Sequence, residues 1–293
     1  MAYCRGRKRA VRRLGGGMAR IVLITHTYDD FRRRRFLLGT LARHWIEAGH
    51  TVNVAAGLDD WPPGDAAVMH LDLSVVPDAY SEASRRYPIV VNANATDIRK
   101  RRVSRLRVTP DDGWQGPVIV KTDLNCRGMP ELRALDAFRR DGRPPDLAPG
   151  PVVTTQQPYP VLRSAREVPD AVWNNEGLVV ERFVPERDAR GYWMRVWVFF
   201  GERERCTRYC GPEPVVKSAQ ISARETVPVP DVLRTERERL GFDYGKFDFV
   251  VVDGKPVLLD ANRTPSAPPA SAGLDASNAH LAGGLAAMLR KAQ

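Results

Sequence analysis

Three residues near the C-terminal end of the chain have the types and spacing of a hard-cation site. Asp248, Asp260 and Asn262 lie in the stretch FDYGKFDFVVVDGKPVLLDANRTP, residues 242–265. A D-G pair between two apolar, β-branched runs signals a hairpin turning at Val252-Asp253-Gly254-Lys255. Phe247, Phe249 and Val251 alternate with Asp248, Val250 and Val252, so Asp248 points away from the phenylalanine face. On the return strand Asp260 and Asn262 are two residues apart and share a face. The hairpin therefore presents three hard oxygen donors together, a set suited to Mg²⁺ on nucleotide phosphates. A solvated surface hairpin would carry the same acids, and the residues alone leave both readings open.

Further upstream, a short apolar strand VIVK ends in Lys121 and runs into TDLNCRGMPE, a turn-rich loop before a helix expected from Pro130 to about Arg140. A loop holding Asn125 and Gly128 ahead of a helix can bring backbone N–H groups to phosphate. It is not a Walker A loop, since G-x-x-x-x-G-K-[ST] is absent. In GYWMRVWVFFG, Arg195 alternates with aromatic neighbours, as either a stacked structural residue or a cation held for a phosphate. Lys217 sits in a polar, proline-marked loop.

The elements needed to position these groups can be read in order. RIVLIT (20–25) is a buried first strand, and Asp29 and Asp30 offer N-cap chemistry to a helix carrying Leu38, Leu41, Ala42, Trp45 and Ile46 at helical spacing, with Gly49 as its stop. The run Arg32 to Arg35 opens that helix and either faces an acidic partner or is solvated. TVNVAA completes a β–α–β start, with strands near AVMHLDL and IVVNA beyond, so an α/β layer of parallel character is expected. No G-x-G-x-x-G follows the first strand. A densely basic helix is expected from Asp97 to Arg107, and Pro, Asp and Gly cluster at a boundary just after it. Residues 141–160 read as an irregular connection. The strands GLVVERF, GYWMRVWVFFG and ERCTRYC follow, then a helix near 229–240, the hairpin, and a terminal helix over 275–290 with Leu281, Leu285, Met288 and Leu289 as its stripe.

The composition is that of a soluble globular chain: 293 residues, 43% apolar and 27% charged, with no run near the length of a membrane span. The formal charge is +10, but residues 1–17 contribute six basic residues and no acid, leaving +4 for the body. That stretch reads as a basic disordered arm or as an extension ahead of a true start at Met18. Four cysteines make no disulfide framework, and a reduced, cytoplasmic setting is the simplest assumption.

The succession of a basic segment with Lys100, VIVK with Lys121, the loop TDLNCRGMPE, LVVERFVPE, YWMRVWVFFG and KFDFVVVDGKPVLLDANRTP resembles the ATP-grasp proteins, near glutathione synthetase and the ribosomal-protein glutamate ligases. The resemblance spans roughly residues 90–265. It implies an α/β fold with a Rossmann-like pre-ATP-grasp layer (18–108) after the basic tail (1–17), then an ATP-grasp domain (109–293) whose two α+β subdomains clasp the nucleotide. It implies that Lys100 and Lys121 neutralise ATP phosphates and that the loop with Asn125 and Gly128 closes over them. Glu181, Arg182, Phe183 and Val184 would meet the adenine, Asp188 the ribose, and Arg195 the γ-phosphate. Asp248, Asp260 and Asn262 would hold one or two Mg²⁺ ions, with Mn²⁺ as a substitute. Arg263 and Lys217 are the candidates for holding a substrate carboxylate.

The implied reaction activates a carboxylate as an acyl phosphate for attack by an amine, on a small molecule or peptide. The alternatives are a phosphotransferase, or a non-catalytic ATP-binding protein of the same fold. A homodimer is compatible with this reading; nucleic acid is expected only through the basic tail, and no membrane. The chain departs from the family pattern at Asp260, where glutamate is usual, and in the loop, where Gly128 is the sole glycine and Cys126 is either a buried filler or a redox-sensitive thiol.

Overall fold

The computed structural model describes residues 17–268 and 271–291. The basic tail therefore lies outside the described residues except for Gly17. The first layer is a parallel four-stranded sheet in the order β2-β1-β3-β4, from β1 (Arg20–Thr25), β2 (Thr51–Ala56), β3 (Ala66–Met69) and β4 (Val90–Val91). α1 (Leu37–Glu47) and α2 (Asp78–Ser84) connect them. Alternate residues of β1 feed two cores: Ile21 and Leu23 meet Leu38, Leu41 and Trp45 of α1, while Val22 and Ile24 meet Trp61, Tyr80 and Tyr87. A central parallel strand is covered on both faces, which is why RIVLIT is apolar almost throughout.

The first helix starts later than the sequence suggests. Asp29 caps nothing: its carboxylate accepts the backbone N–H groups of His26 and Asp72 and is buried. Arg32 to Arg35 consequently lie in a turn ahead of α1, whose N-cap is Phe36. The basic stretch 97–107 also differs from the expected long helix. Only α3 (Lys100–Val103) is helical, and Arg99 and Arg101 are turned to Asp97 and Asp123. Packing that many arginines around one helix would bury some without partners, and short ion-paired turns avoid this.

A second, small sheet has the order β6-β5-β7, from β5 (Val118–Thr122), β6 (Val161–Leu162) and β7 (Leu178–Arg182). Its core of Val118, Val120, Val168 and Val180 is separate from the others. The incoming chain pairs with β7 through the Arg107–Glu181 bridge and the bond from Val108 N to Val180 O. Between β5 and β6 lies α4 (Met129–Arg140), which docks on the first layer: Ala134 and Phe138 pack on Leu73, and Glu131 accepts Ser74 N at 2.6 Å. α5 (Asp170–Trp173) closes the small unit.

The large sheet is antiparallel, ordered β11-β10-β9-β12-β13, with β8 paired to β9. Its strands are β8 (Glu186–Asp188), β9 (Gly191–Phe200), β10 (Arg203–Gly211), β11 (Ala223–Thr226), β12 (Tyr244–Val252) and β13 (Lys255–Asn262). One face, with Trp197, Phe199, Phe247 and Phe249, packs on α6 (Asp231–Arg239) through Leu233. The other, with Val198, Phe200 and Tyr244, shares a single core with β1, α1, α7 (Ala272–Ala282) and α8 (Gly284–Lys291). The expected terminal helix is thus two helices. They break at Gly283–Gly284, where a Cβ on Gly284 would sit 1.9 Å from Phe200 O. Among the described residues no helix is long and apolar enough to cross a membrane.

Candidate active site

The β12–β13 hairpin forms as its sequence dictates. Asp253 and Gly254 have φ of 50° and 74°, the two positive values that a two-residue type I′ turn needs. The register pairs Lys246 with Asn262 and Asp248 with Asp260, then shifts, so that Phe249 faces Leu258 and Leu259 is the extra residue. This bulge lets Leu258 and Ala261, three apart, enter the same phenylalanine-rich core while Asp260 stays on the opposite face beside Asp248.

Two lysines meet these acids. Lys100 Nζ lies 2.7 Å from Asp260 Oδ1, and Lys246 Nζ lies 2.9 Å from Asp248 Oδ2. Burial by itself would lower the Lys100 pKa, but the charge and hydrogen bond of Asp260 hold it above the ordinary lysine value. Lys246 is likewise raised, burial being outweighed by Asp248. Burial raises the Asp248 carboxyl, with Lys246 opposing. Its Oδ1 is buried and has no hydrogen-bond partner among the described residues.

A cleft of about 280 Å³ separates this hairpin from the small sheet. Lys100, Lys121, Asp248 and Asp260 supply its polar lining, and Ile119, Phe183, Val184 and Val250 part of its apolar lining. Lys121 Nζ is 2.6 Å from Glu181 Oε2, while Glu181 Oε1 is buried without a partner. Arg182 also lines the cleft, stacked on Trp114. Phe183 cannot offer its N–H to a ligand, because that group is given to Pro117 O at 2.9 Å.

The loop after β5 is left-handed over three successive residues, with φ of 46° at Cys126, 61° at Arg127 and 70° at Gly128. Non-glycine residues adopt this region at a cost of about 1–2 kcal/mol each. At Gly128 a Cβ would lie 2.5 Å from Val153 O, which explains the glycine. Cys126 and Arg127 are thereby turned into the cleft, and Arg127 lies over the Tyr159 ring. Cys126 is exposed, not a buried filler. Desolvation by the cleft walls, then Asp72 and Asp260, push its thiol up to about 11, away from the thiolate that oxidation requires.

Several expected site residues are not brought into the cleft. Arg195 pairs with Phe249 and so lies on the sheet face opposite Asp248, where it makes a two-pronged ion pair with Glu186; the structural reading of this arginine is the one its geometry fits. Arg263 is fully buried, donating to the carbonyls of Ala95 and Leu73, and burial lowers it to about 10. It fastens the hairpin exit to the first layer and cannot reach a substrate carboxylate in the cleft. Lys217 is exposed outside the lining, and Asp188 is exposed and turned to Arg190. Asn125 is buried, its N–H donated to Ser74 Oγ. Asn262 shares the acids' face, but its Oδ1 already accepts Thr264 N at 2.8 Å.

Lys246 and Tyr159 escaped the sequence reading. Lys246 was legible from the same alternation as Asp248, two residues on and therefore on the same face. Tyr159 lies in an irregular segment, where no periodicity marks it, and is fixed by its 2.8 Å hydrogen bond with Thr122.

No protein-family model matches the sequence, and no curated protein matches it. Among solved structures, the chain is similar to a RimK-domain ATP-grasp protein from Sphaerobacter thermophilus. The match covers 93% of this chain and 100% of that one at 14% identity, with a TM-score of 0.50. The chain has the ATP-grasp fold. It is also similar to D-alanine–D-alanine ligase from Bacillus anthracis (12% identity, 94% and 97% covered, TM-score 0.47) and to the macrocyclase MdnC of Microcystis aeruginosa, bound there to a precursor peptide (10%, 92% and 99%, TM-score 0.45). In the ATP-grasp fold the small and large sheets are the two halves that clasp the cleft, and the four-stranded parallel layer precedes them.

Proposed function

We propose that the protein is an ATP-dependent ligase that joins a carboxylate to an amine through an acyl phosphate. The observation that carries this reading is the convergence of Lys100 and Lys121 with Asp248 and Asp260 on one cleft of the ATP-grasp fold, with Lys246 paired to Asp248. Phosphoryl transfer asks for positioning and charge neutralisation and little covalent help, and this set supplies those two things.

A divalent cation fits the residues present. Asp248 Oδ1 is a buried carboxylate oxygen lacking a partner, and Asp260 stands opposite it in the register. Among the described residues no group of three His, Cys, Asp or Glu side chains could hold a metal. Two carboxylates, with Asn262 beside them, make a donor set that phosphate oxygens complete, as is usual for Mg²⁺. When bound, the ion would neutralise phosphate charge. The lysines would bind the phosphates from the two walls, with Lys121 held in place by Glu181. Ile119, Phe183 and Val184 give the base an apolar bed, while the fully buried Glu181 acts only through Lys121. The left-handed loop of Cys126 to Gly128 would cover the phosphates and keep water away.

The test is a screen of amino acids and short peptides for ADP release, with mass spectrometry of the products. ADP release that depends on an amine and yields an amide supports the ligase. A stable phosphate ester would instead identify a phosphotransferase. Asp248→Asn and Lys121→Ala should each cut turnover by about tenfold or more, equivalent to roughly 1.4 kcal/mol of barrier. Near-normal rates in both would remove the site assignment.

A further inference from the structure

The arginine run ahead of α1 has no part in the nucleotide cleft, yet it borders a second cavity of about 840 Å³. Arg34, Arg133, Arg139 and Arg140 line it, against Asp30 and Asp136. Its lining comes from the loop after β1 and from α4, and Asp72 of the loop after β3 pairs with two of its arginines. Sheets of order 2-1-3 bind ligands at the switch point between these two loops, beyond the carboxyl ends of the strands.

The arginines are held in place and still have donors to give. Arg34 and Arg133 converge on one oxygen of Asp72, which is 5% exposed, while their own side chains are 35% and 47% exposed. One carboxylate oxygen uses few of the ten N–H donors that two guanidinium groups carry. The other Asp72 oxygen accepts Thr264 Oγ1 at 2.7 Å, and Thr264 N donates to Asn262. The cavity floor is thus linked to the metal-face hairpin by an unbroken chain of hydrogen bonds. On α4, residues 133, 136, 137 and 140 fall on one stripe at i, i+3, i+4 and i+7. The stripe sets Arg133 and Arg140 about 10 Å apart along the helix. A single small anion fills one end of such a site. A chain in the polyproline II conformation, with three residues per turn and roughly 3.1 Å per residue, matches it with carboxylates three residues apart on one face.

We propose that this cavity is a subsite for an acidic peptide segment, whose carboxylates reach from Arg34 and Arg133 to Arg140. The proposal deepens the ligase reading and rests on it: the substrate is a peptide with acidic residues beside the group that reacts at the hairpin. Arg34 and Arg133, fixed beforehand by Asp72, bind without first being ordered, which favours affinity.

The probe is tetraglutamate, titrated calorimetrically into the full chain, with tetraglutamine and inorganic phosphate as controls. Tetraglutamate is expected to bind more tightly than either control. Arg133→Gln, and the pair Arg133→Gln with Arg140→Gln, should weaken it by about tenfold or more while the melting temperature and Mg–ADP binding are retained. Arg133→Lys should recover part of the loss. Equal binding of tetraglutamate and phosphate, or unchanged tetraglutamate binding in the double variant, would overturn the proposal. Asp248→Asn separates the two readings. If it abolishes Mg–ADP binding and spares tetraglutamate, both stand; if wild type binds tetraglutamate but no Mg–ADP, only the ligase reading falls.

Discussion

Lysine–carboxylate pairs at the hairpin and the small sheet give the residue scale its main feature, because three site lysines are each already paired with a nearby acid. Lys100 with Asp260, Lys246 with Asp248 and Lys121 with Glu181 keep charge balanced in a partly buried cleft, where an unpaired ion would be costly. A different buried acid sets a pH dependence. Desolvation, then Asp72, raise the Asp29 carboxyl from 3.8 to about 7. The folded state therefore keeps a proton that the unfolded state has released, so the unfolding free energy falls as pH rises from about 4 to about 7. Asp29→Asn retains an oxygen to accept the N–H groups of His26 and Asp72. The wild-type stability in urea, relative to this variant, should decline across that pH window. Parallel curves would show that Asp29 does not titrate there.

At the scale of elements, the sequence was readable where a period or a turn signal fixed the geometry. The D-G pair, the alternation through Phe247 to Phe249 and the apolar stripe of α1 each identified an element and its buried side. The same alternation fixed which face Arg195 occupies, but only strand pairing could reveal that this face is not the acids' face. Arg263 illustrates a second kind of gap. Its neighbours in sequence are site residues, while its partners, Leu73 and Ala95, come from a separate layer. The loop from Cys126 to Gly128 is a third case, since nothing in NCRG announces three left-handed residues. That loop makes a sharp prediction. Gly128→Ala would place a Cβ against Val153 O at 2.5 Å and force a left-handed alanine. It should lower stability by about 1–3 kcal/mol in chemical denaturation and impair nucleotide binding. An unchanged denaturation midpoint would mean that the loop is not held this way.

Across the whole molecule, one core unites what the chain order separates. Ile21 and Leu23 of β1, Leu41 and Trp45 of α1, Phe200 of β9, Tyr244 of β12 and Leu281 of α7 belong to a single buried cluster, and Trp45 Nε1 donates to Ala282 O. Leu281→Ala should therefore destabilise by about 2–5 kcal/mol. Because first layer and large sheet share that core, tryptophan fluorescence and far-ultraviolet circular dichroism should report one coincident transition for them. Two separate transitions for these two parts would contradict the shared core. The small sheet has its own core and is tied to the rest through the strand entering at Leu106 to Val108 and through α4, which docks on the first layer. The two jaws of the cleft are therefore mechanically unequal. The acids belong to the anvil, and Lys121, Glu181 and the bed for the base belong to the hammer. A nucleotide gripped by the lighter jaw would be delivered to carboxylates that do not move.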